Sequence, residues 1–395
     1  MKEIKLPKNW KIEKVSNIAN LIRGINYKKE TASNNSFFES LPILRANNIN
    51  GDLNFEDLVY VPKSLIKSEQ LIKKDDIIFA MSSGSKHLVG KTAVAKNDFK
   101  GSYGAFCALL RINEGINKKY VSYIFKGNNY RKLISEIAKG TSINNLKREH
   151  ILDFEFPLPP LETQHAIVSK IEELFSELDK GIAELKTAQQ QLKTYRQSVL
   201  KSAFEGKLTN ENVKDGELPE GWKLKNLGEI FKVSSGKGIK INQLKGGDYC
   251  VYGGNGLNGY HSEYFIEESV LIIGRVGVKC GVTHITKPKG WVSDNALIVK
   301  PIIEDFDIKF FKLRLEFENL NKLSVSTAQP VISGNSIYSV QVFLPKLEEQ
   351  YRIVQEIESR LSVADKMEQS IHESLQKAEA LRQSILKKAF CGELV

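Results

Sequence analysis

Residues 159–208 read PPLETQHAIVSKIEELFSELDKGIAELKTAQQQLKTYRQSVLKSAFEGKL, and residues 345–394 repeat them as PKLEEQYRIVQEIESRLSVADKMEQSIHESLQKAEALRQSILKKAFCGEL. The two stretches align without a gap at an offset of 186, and 21 of the 50 positions are identical. A period this long lies far above the periods of solenoid repeats, so the chain is a duplicated module.

Each repeat is predicted to form one long helix. The prolines that end at Pro160 prevent a helix before that position, and Glu162 then lies in the first turn, where a carboxylate suits the helix dipole. Gly206 and Gly392 are the expected C-terminal stops. Each helix would therefore be about 45 residues long and span roughly 65 Å at 1.5 Å per residue.

Apolar residues recur every seven positions in both helices, which predicts a coiled coil. The residues expected to pair are Ile171, Leu178, Leu185, Leu192, Val199, Ile357, Ala364, Ile371, Ala378 and Ile385. Antiparallel pairing about Leu185 and Ile371 sets large residues against small ones, but a parallel register does so as well. We expect the antiparallel arrangement because it gives the duplicated chain a pseudo-twofold axis. The alternative is that each helix packs only on its own domain.

A globular head precedes each helix. LPKNW opens the first head at residues 6–10 and LPEGW opens the second at residues 218–222, an offset of 212 that makes the first head about 26 residues longer. Both heads alternate short β-like runs with Gly- and Asn-rich turns. The fold class is therefore α+β, with two globular mixed α/β domains separated by the paired helices. The expected boundaries are 1–158, 159–208, 209–344 and 345–395.

The positive charge is concentrated in the first head. The chain has a formal net charge of +10, and residues 1–158 contain 26 basic and 16 acidic residues, against 16 and 15 for residues 209–344. A basic domain beside neutral ones fits a polyanionic partner such as nucleic acid. An ordinary lysine-rich surface is the alternative explanation.

Corresponding strand, glycine turn and strand patterns at residues 76–92 and 270–283 carry basic residues in the turn. Basic, Asn, Ser, Gln and Tyr side chains on such loops can contact base edges and phosphates, although turn formation alone also explains many of them. The candidate DNA-binding residues are Arg23, Lys28, Lys29, Arg45, Ser83, Lys86, Lys91, Asn144, Asn145, Lys147, Lys237, Lys240, Tyr252, Asn255, Asn258, Tyr260, Arg275, Lys279, Asn295 and Gln329.

Other chemistry is not indicated. Gly84 and Gly90 enclose five residues rather than the four of a phosphate-binding loop. The four cysteines are far apart and the six histidines are scattered, so no metal, cofactor or catalytic residue is expected. The first 15 residues have no apolar core of a signal peptide, and no apolar run reaches the length of a membrane helix. We expect a cytoplasmic protein without a membrane partner.

The LPxxW openings, the dissimilar heads and the helices that run from LExQxxIV to AFxGxL resemble the specificity subunits of type I restriction-modification systems over essentially the whole chain. The loop at 252–260 and the stretch at 293–296 resemble motifs of that family's target-recognition domains. The first head departs from the pattern because it is longer and more basic, and no equivalent of the Gly-Asn-Gly loop is visible in it.

The resemblance implies a non-catalytic subunit. Its two target-recognition domains would each recognise one half of a bipartite, asymmetric double-stranded DNA site. The helices would act as a spacer and dock two methyltransferase subunits, through which restriction subunits join. An enzyme with its own recognition domains is disfavoured because the chain lacks the Asn-Pro-Pro-Tyr or Asp-Pro-Pro-Tyr motif of amino-methyl transfer. The alternative function is a stand-alone sequence-specific DNA-binding or scaffold protein without a methyltransferase partner.

Overall fold

The computed structural model describes residues 6–84, 88–140, 145–210, 212–214, 216–240, 244, 246–277, 279–324 and 330–395. The chain divides into two compact units. The first unit comprises Met1–Leu185 and Glu373–Val395, and the second comprises Lys186–His372. The unit boundaries therefore cross both long helices, whereas the boundaries expected from sequence follow the ends of the helices.

The first head contains the strands β1 Lys11–Lys14, β2 Ala19–Arg23, β3 Ser40–Leu44, β4 Ile49–Asn50, β5 Asp52–Leu53, β6 Val59–Pro62, β7 Ile77–Ala80, β8 Thr92–Val94, β9 Ser102–Tyr103, β10 Cys107–Ile112 and β11 Glu155–Leu158. Its helices are α1 Val15–Ile18, α2 Lys118–Ile124, α3 Asn128–Gly140 and α4 Arg148–Leu152. An antiparallel sheet of order β2-β10-β7-β8 lies at its centre. A second sheet has the order β6-β3-β9, and β1 pairs with β11.

The short apolar run at residues 77–80 forms the central strand β7, and the burial of this strand explains its composition. Ile77 and Phe79 face one hydrophobic cluster, and Ile78 and Ala80 face another on the opposite side of the sheet. All four residues are buried. A strand covered on both faces is apolar throughout, because neither set of alternating side chains meets water.

The second head contains β12 Lys223–Asn226, β13 Phe231–Ser235, β14 Tyr249–Gly253, β15 Gly256–His261, β16 Leu271–Gly274, β17 Thr283–Ile285, β18 Trp291–Val292, β19 Ala296–Pro301 and β20 Gln341–Leu344. Its helices are α6 Ile308–Glu318 and α7 Gly334–Tyr338. The sheets β13-β19-β16-β17, β15-β14-β18 and β12-β20 reproduce the order of the first head. The duplication therefore includes the heads as well as the helices.

Strand pairing locates part of the extra length of the first head. Ile43 on β3 pairs with Val59 on β6, 16 positions later, whereas the corresponding Val251 on β14 pairs with Gly259 on β15, 8 positions later. The β3–β6 connection, which begins at Arg45, thus takes the place of the Gly-Asn-Gly loop and is longer. The equivalent that was not visible in the sequence is this connection, which carries the β4–β5 hairpin.

The two repeats form the helices α5 Leu161–Phe204 and α8 Leu347–Cys391, as expected. In the first unit Arg382 forms an ion pair with Asp179, and in the second Arg196 forms ion pairs with Asp365 at 2.6 Å and Glu368 at 2.9 Å. As α5 advances from Asp179 to Arg196, its partners therefore move backwards along α8. The helices pair in antiparallel fashion, and the expected fold class is confirmed.

The heptad residues lie on the inner face of this pair. Leu178, Leu185 and Leu192 are half-buried, and the other seven expected pairing residues are buried, namely Ile171, Val199, Ile357, Ala364, Ile371, Ala378 and Ile385. Intervening residues such as Glu184 are exposed. No helix in the described part of the chain is long and apolar enough to cross a membrane.

Each helix also packs into the head that precedes it, so packing on the head and pairing between helices both occur. A glutamine repeated in both helices connects the start of each helix to its head. Buried Gln164 donates to the Pro159 carbonyl at 2.8 Å and accepts from the Asn117 backbone N–H at 2.9 Å, where α2 begins. Gln350 makes the equivalent bonds to Pro345 and Asp307, at 3.0 and 2.9 Å. A buried amide satisfied in this way fixes the start of the long helix against a helix of the head.

The LPxxW openings pack against the glycines that end the long helices. Gly206 and Gly392 have φ of +77° and +76°, a backbone conformation that favours glycine at a helix end. A Cβ at Gly206 would lie 2.1 Å from Pro219, and one at Gly392 would lie 2.2 Å from Pro7. The opening of each head therefore touches the end of a long helix in its own unit, so the two duplicated motifs are in contact in both units.

Candidate nucleic-acid interface

The central sheet of each head has one edge where strand ends and loops meet. In the first head β2 ends at Arg23 and β7 ends at Ala80, and the antiparallel β10 begins beside them at Cys107. The corresponding positions in the second head are Ser235, Gly274 and Ala296. We call this side of each sheet its loop edge.

A tight turn before β10, residues 104–107, lies at the loop edge of the first head. The Cys107 N–H donates to the Gly104 carbonyl at 2.9 Å, and the Gly104 N–H donates to the Leu44 carbonyl at 2.9 Å. The Phe106 carbonyl accepts from the Met81 N–H at 2.8 Å. Neighbouring strands thus hold the backbone of this turn, which we call the edge turn, while the Phe106 side chain is 68% exposed.

The second head has the same edge turn at residues 293–296. The Ala296 N–H donates to the Ser293 carbonyl at 3.1 Å, and the Ser293 N–H donates to the Tyr252 carbonyl at 2.8 Å. The Asn295 carbonyl accepts from the Arg275 N–H at 2.9 Å. One rigid backbone geometry therefore presents Phe106 in one head and Asn295 in the other.

Two adjoining cavities flank Phe106, with volumes of about 500 and 680 Å³, and both also contain Asn26, Ala105 and Cys107 in their walls. Four candidates from the sequence line these cavities. Arg23 and Asn145 line the smaller cavity, and Lys29 and Arg45 line the larger one. Cationic, amide and aromatic side chains converge on one concave surface. Such a surface can contact phosphates and base edges together.

The other candidates of the first head are more dispersed. Lys28 and Lys147 are exposed, and Ser83 is half-buried. The half-buried Lys91 donates through Nζ to the Asn50 side chain at 2.5 Å, so its ammonium is engaged with the β4–β5 hairpin. The candidates Lys86, Asn144 and Gln329 lie outside the described residues.

Close packing of glycines shapes the loop edge of the second head. A Cβ at Gly253 would lie 2.3 Å from the Asn258 side-chain nitrogen, and one at Gly254 would lie 2.8 Å from the Asn295 carbonyl oxygen. Only glycine allows this approach. It brings the exposed Asn258 next to the edge turn, where Asn295 is also exposed.

Arg275 lies on the same edge. Its guanidinium donates to the Ser235 hydroxyl at 3.3 Å, a contact between the ends of β13 and β16. The side chains of Lys237, Lys240, Asn255, Tyr260 and Lys279 are exposed. Arg275, Asn258 and Asn295 therefore lie at the loop edge of the second head. The loop edge of the first head carries Arg23 and Phe106 instead.

Tyr252 does not lie where the sequence interpretation placed it. It is 7% exposed and belongs to a hydrophobic cluster with Ile272 and Val292. Its hydroxyl accepts from the Lys287 backbone N–H at 3.0 Å. The interpretation failed because residues alternate between the two sides of a strand, and Tyr252 on β14 points into the core.

Burial also determines the state of the cysteine at the loop edge. Cys107 is 1% exposed, and its desolvation raises the thiol pKa to about 12. The thiol is therefore protonated near neutral pH and is a poor nucleophile. In the parts of the chain that the structure covers, no cluster of three or more His, Cys, Asp or Glu residues could hold a metal ion.

Sequence reasoning missed Asn26, Phe106 and Arg148 among the residues that line these cavities. Arg148 follows the candidate Lys147 and donates to the Leu21 carbonyl at 2.5 Å. Phe106 was overlooked because an aromatic residue beside an apolar strand usually lies in the core. Alignment of YGAFC at 103–107 with VSDNA at 292–296 would have found it, since Asn295 was a candidate.

Two equivalent heads with different polar loop edges, joined by an antiparallel helix pair, define the class of two-headed nucleic-acid-recognition proteins. A family model described as type I restriction modification DNA specificity domain matches residues 7–187 and 219–377. The chain belongs to this family of type I restriction-modification specificity subunits.

The chain is similar to the specificity subunits of the type I restriction enzymes StySPI of Salmonella potsdam and EcoKI of Escherichia coli (strain K12). Each is 34% identical, over 99% of this chain and 90% of the relative. A solved structure reported for the assembly and conformational transition of the type I R-M system has a TM-score of 0.79 at 19% identity, covering 98% of this chain and 99% of that chain. The HsdS subunit of Thermoanaerobacter tengcongensis has a TM-score of 0.58 at 20% identity, covering 99% of both chains. The two structures support the fold.

Proposed function

We propose that this chain is the DNA-sequence-reading subunit of a type I restriction-modification complex in the cytoplasm. Each head recognises one half of a bipartite, asymmetric site through its loop edge. The helix pair separates the heads and docks two methyltransferase subunits, and restriction subunits join through them. The chain itself has a non-catalytic role.

The observation that carries this proposal is the difference between the two loop edges on one shared fold. The edge turn has the same backbone hydrogen bonds in both heads, yet it presents Phe106 in one and Asn295 in the other. Equivalent folds place the two surfaces in equivalent positions, and different side chains then select different bases. Two identical readers would instead require a palindromic site, as in symmetric dimers.

Base-resolution mapping of methylated adenines tests the function directly. Cells that express the chain with a methyltransferase subunit should methylate one bipartite sequence, and cells that lack the chain should not. Co-purification of the methyltransferase subunit is the second measurement. Sequence-specific binding without either result would favour a stand-alone DNA-binding or scaffold protein.

DNA affinity should fall steeply with salt, because neutralised phosphates release counterions, and the first head should contribute most of the effect. Replacing Lys28 and Lys29 with Ala should reduce the slope of log K against log salt by about 2 if both contact phosphate. The measurement is fluorescence anisotropy of the complex between about 50 and 200 mM salt. The matched control replaces Lys73 and Lys74, exposed residues that precede β7 at the end opposite the loop edge. Equal slopes for all three proteins would contradict the prediction.

Arg275→Ala should weaken specific binding by about 1–3 kcal/mol if the guanidinium meets a base edge, and should relax the preference at that base pair. If it meets only phosphate, binding to all sequences should weaken alike. Competition binding against single-base variants of the site separates the two results. Lys300→Ala, near the far end of β19, is the control. An Arg275→Ala complex with unchanged affinity and preference would remove this residue from the interface.

A further inference from the structure

The aromatic ring of Phe106 in the edge turn is exposed although it is apolar. The Phe106 carbonyl accepts hydrogen bonds from the Met81 N–H at 2.8 Å and the Ser82 N–H at 3.1 Å, yet Phe106 is 68% exposed and contributes little to the core. The ring would gain free energy from an apolar surface supplied by a partner, because burial of apolar area is favourable.

The surroundings of Phe106 restrict the nature of that surface. Arg23, Asn145 and Arg148 line the cavity on one side of the ring, and Lys29 and Arg45 line the cavity on the other. An apolar protein or lipid surface would desolvate these polar groups without satisfying them, at a cost in free energy. A duplex satisfies them with phosphates and base edges.

Only one group on the major-groove face of the base pairs is apolar, the 5-methyl group of thymine. Stacking of the ring on a base face would require neighbouring base pairs to unstack, which costs a few kcal/mol per step. A methyl group is available in the groove without that step. Contact with a thymine methyl group avoids the cost of unstacking, and we therefore favour it over stacking.

We propose that Phe106 is a specificity-determining residue of the first half-site and contacts the 5-methyl group of a thymine. Asn295, at the same position of the second edge turn, donates and accepts hydrogen bonds at a base edge instead, for which adenine is the matching base. The inference rests on the proposed function. It adds that one backbone position reads an apolar group in one half-site and a hydrogen-bonding edge in the other.

The test uses the full chain in complex with its methyltransferase subunits. Its site is first obtained by selecting bound duplexes from a random pool, and each thymine of the first half-site is then replaced by uracil, which lacks only the methyl group. Uracil at one position should weaken wild-type binding about fourfold, the effect of one buried methyl group. The same replacement should have no effect on Phe106→Ala, which should itself bind the thymine site about tenfold more weakly.

Phe38→Ala is the matched control, since Phe38 belongs to the same head, is 91% exposed and lines neither cavity. It should respond to uracil as the wild type does. Equal uracil effects in the wild type and Phe106→Ala would overturn the inference, as would a first half-site without thymine. Melting temperatures confirm that the variants are folded. If the wild-type complex selected no bipartite sequence, the proposed function itself would fail, a result distinct from these.

Discussion

Asp76→Ala should lower the free energy of unfolding of the first unit by about 3 kcal/mol, because it removes one partner of a largely buried ion pair. The Asp76 side chain is 4% exposed and accepts from Arg111 through Nε at 2.9 Å and a terminal nitrogen at 2.6 Å. Arg111 also donates to the carbonyls of Glu69 and Leu71, at 3.0 and 2.9 Å. The ion pair therefore fixes the segment that leads into β7. The hydrogen bond with Asp76 also raises the pKa of the Arg111 guanidinium above its usual value.

Denaturant-induced unfolding followed by circular dichroism measures this effect. The control is Asp52→Ala, which removes the partner of Lys96 from an ion pair with both side chains 76% exposed. Exposed pairs contribute little, so the control should change stability by less than about 1 kcal/mol. Similar losses for the two variants would show that burial of Asp76 is not the source of the stability.

Insertion of one heptad into each long helix, after Leu185 and after Ile371, should lengthen the preferred spacer between the half-sites by roughly 3 base pairs. Seven residues add about 10 Å of helix at 1.5 Å per residue, and the duplex rises about 3.4 Å per base pair. The heptad keeps the apolar seam in register. About 3 base pairs rotate the duplex by near 100°, so the complex should also be weaker, since DNA or helices must twist. Site selection from a random pool measures both spacer and half-site sequences.

The half-site sequences should not change in this variant, because the loop edges are untouched. A heptad inserted in α5 alone is the informative control. The register that pairs Asp179 with Arg382 and the register that pairs Arg196 with Asp365 could then no longer both be kept. That protein should be destabilised. An unchanged spacer at full affinity in the double insertion would show that the helices do not set the distance.

The sequence by itself determined the duplication and the helix pair. A heptad pattern is local, since the residues that share one helix face are seven apart, and the buried positions from Ile171 to Ile385 follow it. The direction of pairing was less certain, because alternation of large and small residues suits both directions. The two sets of ion pairs between the helices, made by Arg382 and Arg196, settle it.

Only the tertiary structure decided which loop residues reach the loop edge. Tyr252 and Asn258 lie six positions apart in one glycine-rich stretch, on the paired strands β14 and β15, yet Tyr252 is buried and Asn258 is exposed. Phe106 was not a candidate from the sequence, yet it stands in an exposed turn at the loop edge. The physical reason is that strand register and the glycine close approaches join residues far apart in the chain, such as Gly254 and Asn295. The local composition of a segment does not indicate which distant residues it will pair with.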